Sequence, residues 1–253
     1  MIWFADIQFG ATVNRAHHSL HRQIPSPQWR PDARESGGSY EELGSSANET
    51  PVALDLDSVE SIKAAAIYIR EQFGSLDILV YDGGINRSSD PNATLRETYR
   101  AVFETNVFGM VVVVDAFLLL LCASKYLDRR IVNVTSSLGR IGIAYSPTSK
   151  YSVKVWELPA YRSSETAFNM INAVDAVRLQ KENILSIVVC PGYCRKDFGA
   201  GRGAKSAEEG AQPIFRAATE GLQKNCLGRL WRMKGILCSS GGRRRSEGNF
   251  RHL

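Results

Sequence analysis

A tyrosine and a glutamate, Tyr161 and Glu165, stand four residues apart in a stretch with helical character. This spacing places both side chains on one helical face, where they interact. A free tyrosine has a pKa of about 10, so proton exchange near neutrality requires surroundings that stabilise the phenolate. A carboxylate does the opposite, because two negative charges about 6 Å apart repel by roughly 3 kcal/mol at an effective dielectric of about 20. If Tyr161 takes part in acid–base chemistry, the pair therefore predicts an electrostatic penalty on it.

Cations near this tyrosine would offset the penalty. Arg162 follows it directly, but neighbouring residues of a helix point to different faces. Lys150 and Lys154 belong to the preceding loop, and rescue by one of them stays open.

Hydroxyl groups cluster where an apolar stretch ends, at Ser136 with Thr135 and Ser137 as neighbours. A hydroxyl at the carboxyl end of a strand can donate to an oxygen that gains charge during a reaction. The alternative is a serine that only forms a turn. Asn106 taken alone is typical of a helix or capping residue. Taken alone, these residues leave the choice between the two roles open.

Other kinds of site find little support in the composition. The five cysteines have no CxxC or Cys/His spacing, so neither a disulfide framework nor a zinc site is indicated. Only His17 and His21 have a spacing that could share a metal, and no third ligand is evident, so we predict no metal. The net charge of +5 comes from scattered basic residues apart from the run 243–245, which argues against nucleic-acid binding.

Apolar strands alternate with amphipathic helices through the middle of the chain. The predicted strands are 51–56, 76–81, 129–135 and 184–190, and the predicted helices are 59–73, 100–126, 161–182 and 206–221. Asp57 with Glu60, and Ser206 with Glu209, have the spacing of helix-capping boxes, and Gly74 ends the first helix. This alternation predicts an α/β fold with a doubly wound parallel sheet covered on both faces. The segments after residues 81, 135 and 190 should then line one crevice.

Six short motifs in this order resemble the short-chain dehydrogenase/reductases, which are Rossmann-fold enzymes using NAD or NADP. The matching pieces are Asp55, YDGGI (81–85, where the family has Asn-Asn-Ala-Gly), NVFG (106–109), VNVTSS (132–137), YRSSE (161–165) and PGYCRK (191–196). Together they cover roughly residues 51–220. The insertion between the serine strand and the tyrosine helix is similar to that of the carbonyl-reductase-like branch.

The resemblance implies an oxidoreductase that reduces a carbonyl or oxidises a secondary alcohol. Tyr161 matches the family's general acid or base, Ser136 the serine that binds the substrate oxygen, and Asn106 the asparagine whose helix distortion binds a relay water. The positions that match cofactor-binding residues are Asp55, Gly84, Tyr161, Gly192 and Cys194. NADP is the expected cofactor, with NAD as an alternative, because Arg30 and Arg34 could meet a 2′-phosphate.

Several positions depart from the family pattern. Glu165 stands where the family has a lysine that favours the phenolate and holds the nicotinamide ribose, and Lys196 replaces a threonine. Only Gly10 survives of the glycine-rich turn, so we expect an eroded N-terminal βα unit. A catalytically inactive member of the fold that binds a ligand or a subunit, or the product of a truncated or misjoined coding sequence, stays open as an alternative.

The remaining expectations concern organisation and surroundings. We expect one domain over residues 1–221, with the clear family signal in 51–221, followed by a disordered basic tail over 222–253. The apolar run 107–123 contains Asp115, so we predict a helix buried on most sides and no membrane contact. We expect a cytoplasmic protein with a small-molecule substrate. The helix pair 100–126 and 161–182 resembles the one that forms family dimers and tetramers.

Overall fold

The computed structural model describes residues 2–6, 10–14, 49–86, 92–195, 201–220 and 236–238. Its strands are β1 Ile2–Asp6, β2 Gly10–Asn14, β3 Glu49–Val52, β4 Ile78–Tyr81, β5 Arg130–Val134, β6 Leu185–Cys190 and β7 Ile236–Cys238. Its α-helices are α1 Val59–Phe73, α2 Leu95–Phe103, α3 Met110–Ala123, α4 Ile141–Ala144, α5 Pro159–Arg178 and α6 Ala207–Thr219. A π-helical segment, Glu104–Gly109, joins α2 to α3, and 3-10 turns lie at Ser137–Gly139 and Leu179–Glu182.

The strands form one sheet in the order β3-β2-β1-β4-β5-β6-β7. Strands β1, β4, β5, β6 and β7 pair in parallel, in agreement with the predicted α/β fold. Apolar clusters cover both faces. One contains Ile62, Phe117 and Phe168 from α1, α3 and α5, and the other contains Ile214 and Ala217 from α6. The doubly wound arrangement is therefore confirmed.

The amino-terminal edge differs from an all-parallel sheet. Strand β2 pairs antiparallel with both β1 and β3. The reason is the connection, since only residues 7–9 separate β1 from β2. A parallel crossover needs a dozen or more residues, whereas a short connection allows an antiparallel hairpin. The expected erosion of the first βα unit thus takes the form of a strand hairpin.

Helix α1 begins one residue later than the predicted capping box. Its N-cap is Ser58, whose hydroxyl accepts from the Ser61 N–H, so the expected box of Asp57 and Glu60 is wrong. A serine hydroxyl satisfies the free amides of a first turn as well as a carboxylate does. Gly74 ends the helix with a φ of 76°, as predicted.

The predicted strand 51–56 is displaced by several residues. Strand β3 ends at Val52, and the chain then turns at Asp55, whose carboxylate accepts from the Asp57 N–H at 3.0 Å. An aspartate that binds the backbone two residues on forms a local turn and so ends the strand. The other three predicted strands correspond to β4, β5 and β6, and the capping box of Ser206 and Glu209 is present at α6.

The apolar helix in the middle of the chain is partly exposed. The stretch Leu95–Ala123 is long and apolar enough to span a membrane by length and composition. Half of its most apolar 18 residues are buried in the protein. Its buried residues, such as Met110 and Phe117, join the core, while Phe108 and Val111 are exposed. Burial is therefore less extensive than expected for 107–123.

The predicted tail is described only in part. Strand β7 lies within 222–253 and pairs with β6, which the sequence did not indicate. Residues 221–235 and 239–253 lie outside the described ranges, so the domain boundary stays a prediction.

Candidate active site

The carboxyl ends of three parallel strands bring the predicted site residues to one edge of the sheet. Strands β4, β5 and β6 are neighbours, and the segments that follow them begin at Asp82, Thr135 and Pro191. The Thr135 N–H donates to the Val189 carbonyl at 2.8 Å, which holds the β5 end against β6. Ligands of open α/β sheets bind at such an edge.

Tyr161 enters this edge from the first turn of α5. The helix begins at Pro159, whose fixed φ and missing N–H suit a first helical position. The Tyr161 side chain is 9% exposed and forms hydrogen bonds with the side chains of Ser136 and Glu165. The structure thus brings together Tyr161 and Glu165, the two residues that the sequence placed at the centre of the chemistry.

Two influences act on the Tyr161 hydroxyl in opposite directions. Burial, and after it the negative charge of Glu165, raise the pKa of Tyr161 well above 10, while the Ser136 hydrogen bond lowers it. Because burial and a nearby negative charge both disfavour the phenolate, the protonated phenol is the resting form.

Glu165 is held by the end of β5. Its Oε2 atom accepts from the Ser136 N–H at 2.7 Å and from the Thr135 hydroxyl at 3.0 Å. The side chain is 7% exposed, and this burial is the largest cause that raises the pKa of Glu165 to about 7, against the two hydrogen bonds. The carboxyl group therefore changes charge near neutrality.

Asn106 connects three parts of the site. It lies in the π-helical segment and is almost fully buried. Its amide accepts from the Ile85 N–H at 2.7 Å and donates to the Ile85 carbonyl at 3.0 Å and to the Ser164 hydroxyl at 3.0 Å. A π-helical turn, which holds one residue more than an α-helical turn, is often found at functional sites. The distortion expected at Asn106 is present, and its described partners fix the loop after β4.

The remaining predicted residues differ in their surroundings. Among the described residues, a Cβ atom at Gly84 would contact Asn106, at 3.6 Å, whereas Gly192 has a φ of 91° that favours glycine. Cys194 is buried, and its sulfur packs on Gly210 of α6. Contacts of these residues with a cofactor stay predictions.

Asp55 lies in the turn before α1. Its backbone N–H donates to the Ser61 hydroxyl at 2.9 Å. The next residue, Leu56, lies against Gly83, so this turn adjoins the loop that follows β4. Its carboxylate is exposed, and its role towards a cofactor stays a prediction.

The candidate cations have other partners. The Arg162 guanidinium donates to the carbonyls of Tyr151 and Trp156, both at 3.0 Å, and so holds the inserted loop. Lys150 Nζ lies 5.1 Å from the centre of the Tyr151 ring. The charged groups that shift the pKa of Tyr161 are the acids Glu165 and Cys190. Rescue by Lys150 or Lys154 has no support from these contacts.

Sequence reasoning missed two features of the site. Thr135 was considered only as a possible miscount for Ser136, yet it donates to Glu165 and lies 2.7 Å from Asn169 Oδ1. Lys205 Nζ donates to the Pro191 carbonyl at 3.1 Å, beside Gly192. The helical spacing of Glu165 and Asn169 was a usable signal for the first, while no local pattern indicates the second.

Three earlier expectations concern residues outside the described ranges: the histidine pair 17 and 21, the arginines 30 and 34, and Lys196. Within the described ranges, no group of three or more His, Cys, Asp or Glu side chains could hold a metal ion.

The chain is similar to known proteins over most of its length. The family profile described as short chain dehydrogenase matches residues 33–206. The short-chain dehydrogenase anuI of Penicillium roqueforti is 67% identical over 195 residues, which are 76% of this chain and 77% of that protein. Carbonyl reductase [NADPH] 1 of Bos taurus is 26% identical over 198 residues, which are 65% of this chain and 70% of that protein.

A solved structure shows the same fold. The NADPH-bound carbonyl reductase from chicken fatty liver has a TM-score of 0.58 at 23% identity, covering 66% of this chain and 65% of that one. The chain therefore belongs to the short-chain dehydrogenase/reductase family, of the carbonyl-reductase-like type, whose members are oxidoreductases that act on CH–OH and C=O groups with a nicotinamide cofactor.

Proposed function

We propose that the protein is an NADP(H)-dependent oxidoreductase that reduces a carbonyl or oxidises a secondary alcohol. The observation that carries this proposal is the hydrogen bond between the buried Tyr161 and Ser136 at the carboxyl end of β5. A phenol and a hydroxyl that meet at one point can both reach one substrate oxygen, which is the geometry that proton transfer requires.

Gly84 and Gly192 support a cofactor beside this pair. Both follow strands next to β5, and a Cβ atom at Gly84 would be in ordinary contact with Asn106 Oδ1 at 3.6 Å. A bare backbone at strand ends permits close approach of a flat ring. These residues fit the nicotinamide end of a dinucleotide, and Asp55 is the candidate for the adenosine end. A bound nicotinamide supplies or accepts the hydride.

The chain's own residues then have separate tasks. Ser136 donates a hydrogen bond to the substrate oxygen, and Tyr161 passes a proton to or from it. Asn106 positions both the loop after β4 and α5, because its amide binds Ile85 and Ser164. NADP is preferred over NAD on two grounds: Arg30 and Arg34 in the sequence, and the relatives whose names include NADPH.

A second candidate function is a catalytically inactive member of the family that binds a ligand or a subunit. Glu165 favours it, because its charge raises the pKa of Tyr161 where the family has a lysine. The variant Glu165→Lys separates the two. If the proposed enzyme function holds, the unaltered protein already turns over a substrate before this change. Under the inactive alternative, the unaltered protein has no turnover, and the change either raises turnover by orders of magnitude or leaves it at zero.

The assembly and the compartment are also proposals. Exposed apolar residues on α5, Met170, Val174 and Val177, lie at helical spacing, and Phe108 of the π-helical segment and Val111 of α3 are exposed as well. Such surfaces often mark interfaces. We propose a homodimer or homotetramer that acts in the cytoplasm on a small-molecule substrate.

Calorimetric titration with NADPH and NADH tests the proposal before any substrate is known. We expect saturable binding of NADPH and weaker binding of NADH. The matched control is Gly192→Val, which places a branched side chain at a φ of 91° and should abolish binding if the loop after β6 holds the cofactor. Absence of binding to the unaltered protein contradicts the proposed function.

A further inference from the structure

Glu165 is the buried acid that the proposed reaction leaves without a task. It touches the tyrosine hydroxyl and takes two hydrogen bonds from the end of β5, through Ser136 and Thr135. A buried carboxyl group in the centre of a site is expensive unless its partners stabilise it. The Ser136 N–H and the Thr135 hydroxyl are such partners, so the Glu165 carboxyl group has a specific polar environment.

The same carboxyl group prevents Tyr161 from acting through a free phenolate. Burial and the Glu165 charge both oppose loss of the phenol proton. A phenol can, however, accept one proton while it gives up another, and then no phenolate accumulates. That exchange needs a second base in hydrogen-bond contact with the phenol, and Glu165 is in that place.

We propose that Glu165 is the terminal proton acceptor and donor of a relay that runs through Tyr161. The inference rests on the proposed oxidoreductase function. In alcohol oxidation, the substrate hydroxyl proton moves to the Tyr161 oxygen while the Tyr161 proton moves to the Glu165 carboxylate. The hydride from the carbinol carbon goes to the nicotinamide, so that charge and atoms balance. In carbonyl reduction, both protons move in the opposite direction.

The partners of Glu165 fit both protonation states. Two donors, the Ser136 N–H and the Thr135 hydroxyl, stabilise the carboxylate, and burial stabilises the neutral acid. The opposition of these effects puts the pKa of Glu165 at about 7. A relay group with a pKa near the working pH can both accept and release a proton.

The other titratable groups around Glu165 do not replace it. Cys190 faces it from β6, Tyr81 from β4 and Tyr161 from its own helix. The Tyr81 hydroxyl donates to the Thr105 carbonyl at 3.1 Å, and burial raises its pKa. The Cys190 sulfur lies 3.2 Å from the Ser137 hydroxyl. Ionisation near neutrality is therefore assigned to Glu165.

The relay predicts opposite pH profiles for the two directions. Reduction requires the neutral acid, so its kcat/KM should fall by about tenfold for each pH unit above about 7. Oxidation requires the carboxylate, so its kcat/KM should fall in the same way below about 7. Both profiles are measured on the unaltered protein. Reduction is followed with NADPH and a carbonyl compound that the protein reduces, and oxidation with NADP and the corresponding alcohol.

The variant Glu165→Gln tests the assignment by the sign of its effect. If Glu165 relays the proton, the change lowers kcat by about a hundredfold or more and removes the titration. If Glu165 only suppresses Tyr161, loss of its charge raises kcat, and that result overturns the inference. Glu182→Gln, at an exposed glutamate remote in the fold, should leave both profiles unchanged.

A spectroscopic measurement keeps the inference testable without turnover. Infrared difference spectra of the cofactor-free protein should show a carboxylic acid band that appears on acidification through about pH 7 and is absent in Glu165→Gln. If that band titrates near pH 4.5 instead, the inference fails while the proposed function stands. If neither NADPH nor NADH binds and the band is present, the proposed function fails, and the relay, which rests on it, falls with it.

Discussion

A buried asparagine shows how much the surroundings of a single residue matter. Asn133 is fully buried in β5, and within the described part of the chain its amide nitrogen and oxygen have no hydrogen-bond partner. Its register partner on β4 is Tyr81, whose hydroxyl reaches the Thr105 carbonyl instead. The motif of the family has an asparagine at position 81, whereas here a phenol stands there and its hydroxyl binds Thr105 rather than Asn133.

Replacement of this asparagine should not destabilise the protein. Asn133→Leu removes two unsatisfied groups, so we expect the free energy of unfolding to stay equal or to rise by about 1–3 kcal/mol. Asn172→Leu is the matched control, because the Asn172 amide donates to the Ser186 hydroxyl and its loss should be destabilising. Urea unfolding of both variants measures the difference. Equal losses of stability in the two variants would contradict the interpretation.

The sequence predicted the members of the site better than their contacts. Ser136 and Tyr161 were paired through the family resemblance, since 25 positions separate them along the chain and no local period joins them. The repulsion between the Glu165 carboxylate and a Tyr161 phenolate followed from their helical spacing. The hydrogen bond from the Ser136 N–H to Glu165 could not be predicted, because that contact depends on how α5 packs on the end of β5.

At the scale of elements, the parallel core was predictable and its edges were not. Strands β5 and β6 and the cap of α6 follow from apolar runs and capping residues. The direction of β2 depends on a connection of three residues, and the pairing of β7 is non-local. The start of helix α1 is also shifted from its predicted place, because Ser58 competes with Asp57 for the same backbone amides.

The turn Ser137–Gly139 sets the distance between the serine end of β5 and helix α5. A Cβ atom at Gly139 would lie 2.6 Å from the Glu165 Cβ and 2.7 Å from the Glu165 carbonyl carbon. Gly139→Ala should therefore push α5 away, lower stability by about 1–3 kcal/mol and reduce turnover.

Gly142→Ala is the control for this turn, because a Cβ atom there meets nothing within 4 Å. It lies in the short helix α4, so we expect unchanged or slightly higher stability. Thermal unfolding and turnover of both variants provide the comparison. Tolerance of alanine at both positions would show that the contact of the turn with α5 is not tight.

At the scale of the whole molecule, protonation of Glu165 makes the free energy of unfolding depend on pH. The pKa of Glu165 is about 7 in the folded protein, against 4.5 for an ordinary exposed glutamate. The folded state binds this proton more tightly, so the contribution is complete below about pH 4.5 and declines as pH rises to about 7. The total is on the order of 3 kcal/mol. Denaturant unfolding should show this decline in the unaltered protein relative to Glu165→Gln, and parallel curves would contradict the raised pKa.

The exposed apolar stripe on α5 predicts association. Val174→Glu places a charge in the centre of this stripe and should convert a dimer or tetramer into smaller species. Leu127→Glu is the control, because Leu127 is 94% exposed and belongs to the turn after α3 rather than to α5. Sedimentation velocity reads the assembly directly. A monomer in the unaltered protein, or no change with Val174→Glu, would contradict the proposed interface.

The central claim is that the Tyr161 hydroxyl, beside Ser136, exchanges a proton with a substrate oxygen. The most direct measurement is the rate of NADPH oxidation with a panel of ketones and aldehydes, compared between the unaltered protein and Tyr161→Phe. We expect turnover by the unaltered protein and a loss of about a hundredfold or more in the variant, with NADPH binding retained. Equal turnover by the two proteins, or none by the unaltered protein, would contradict the claim.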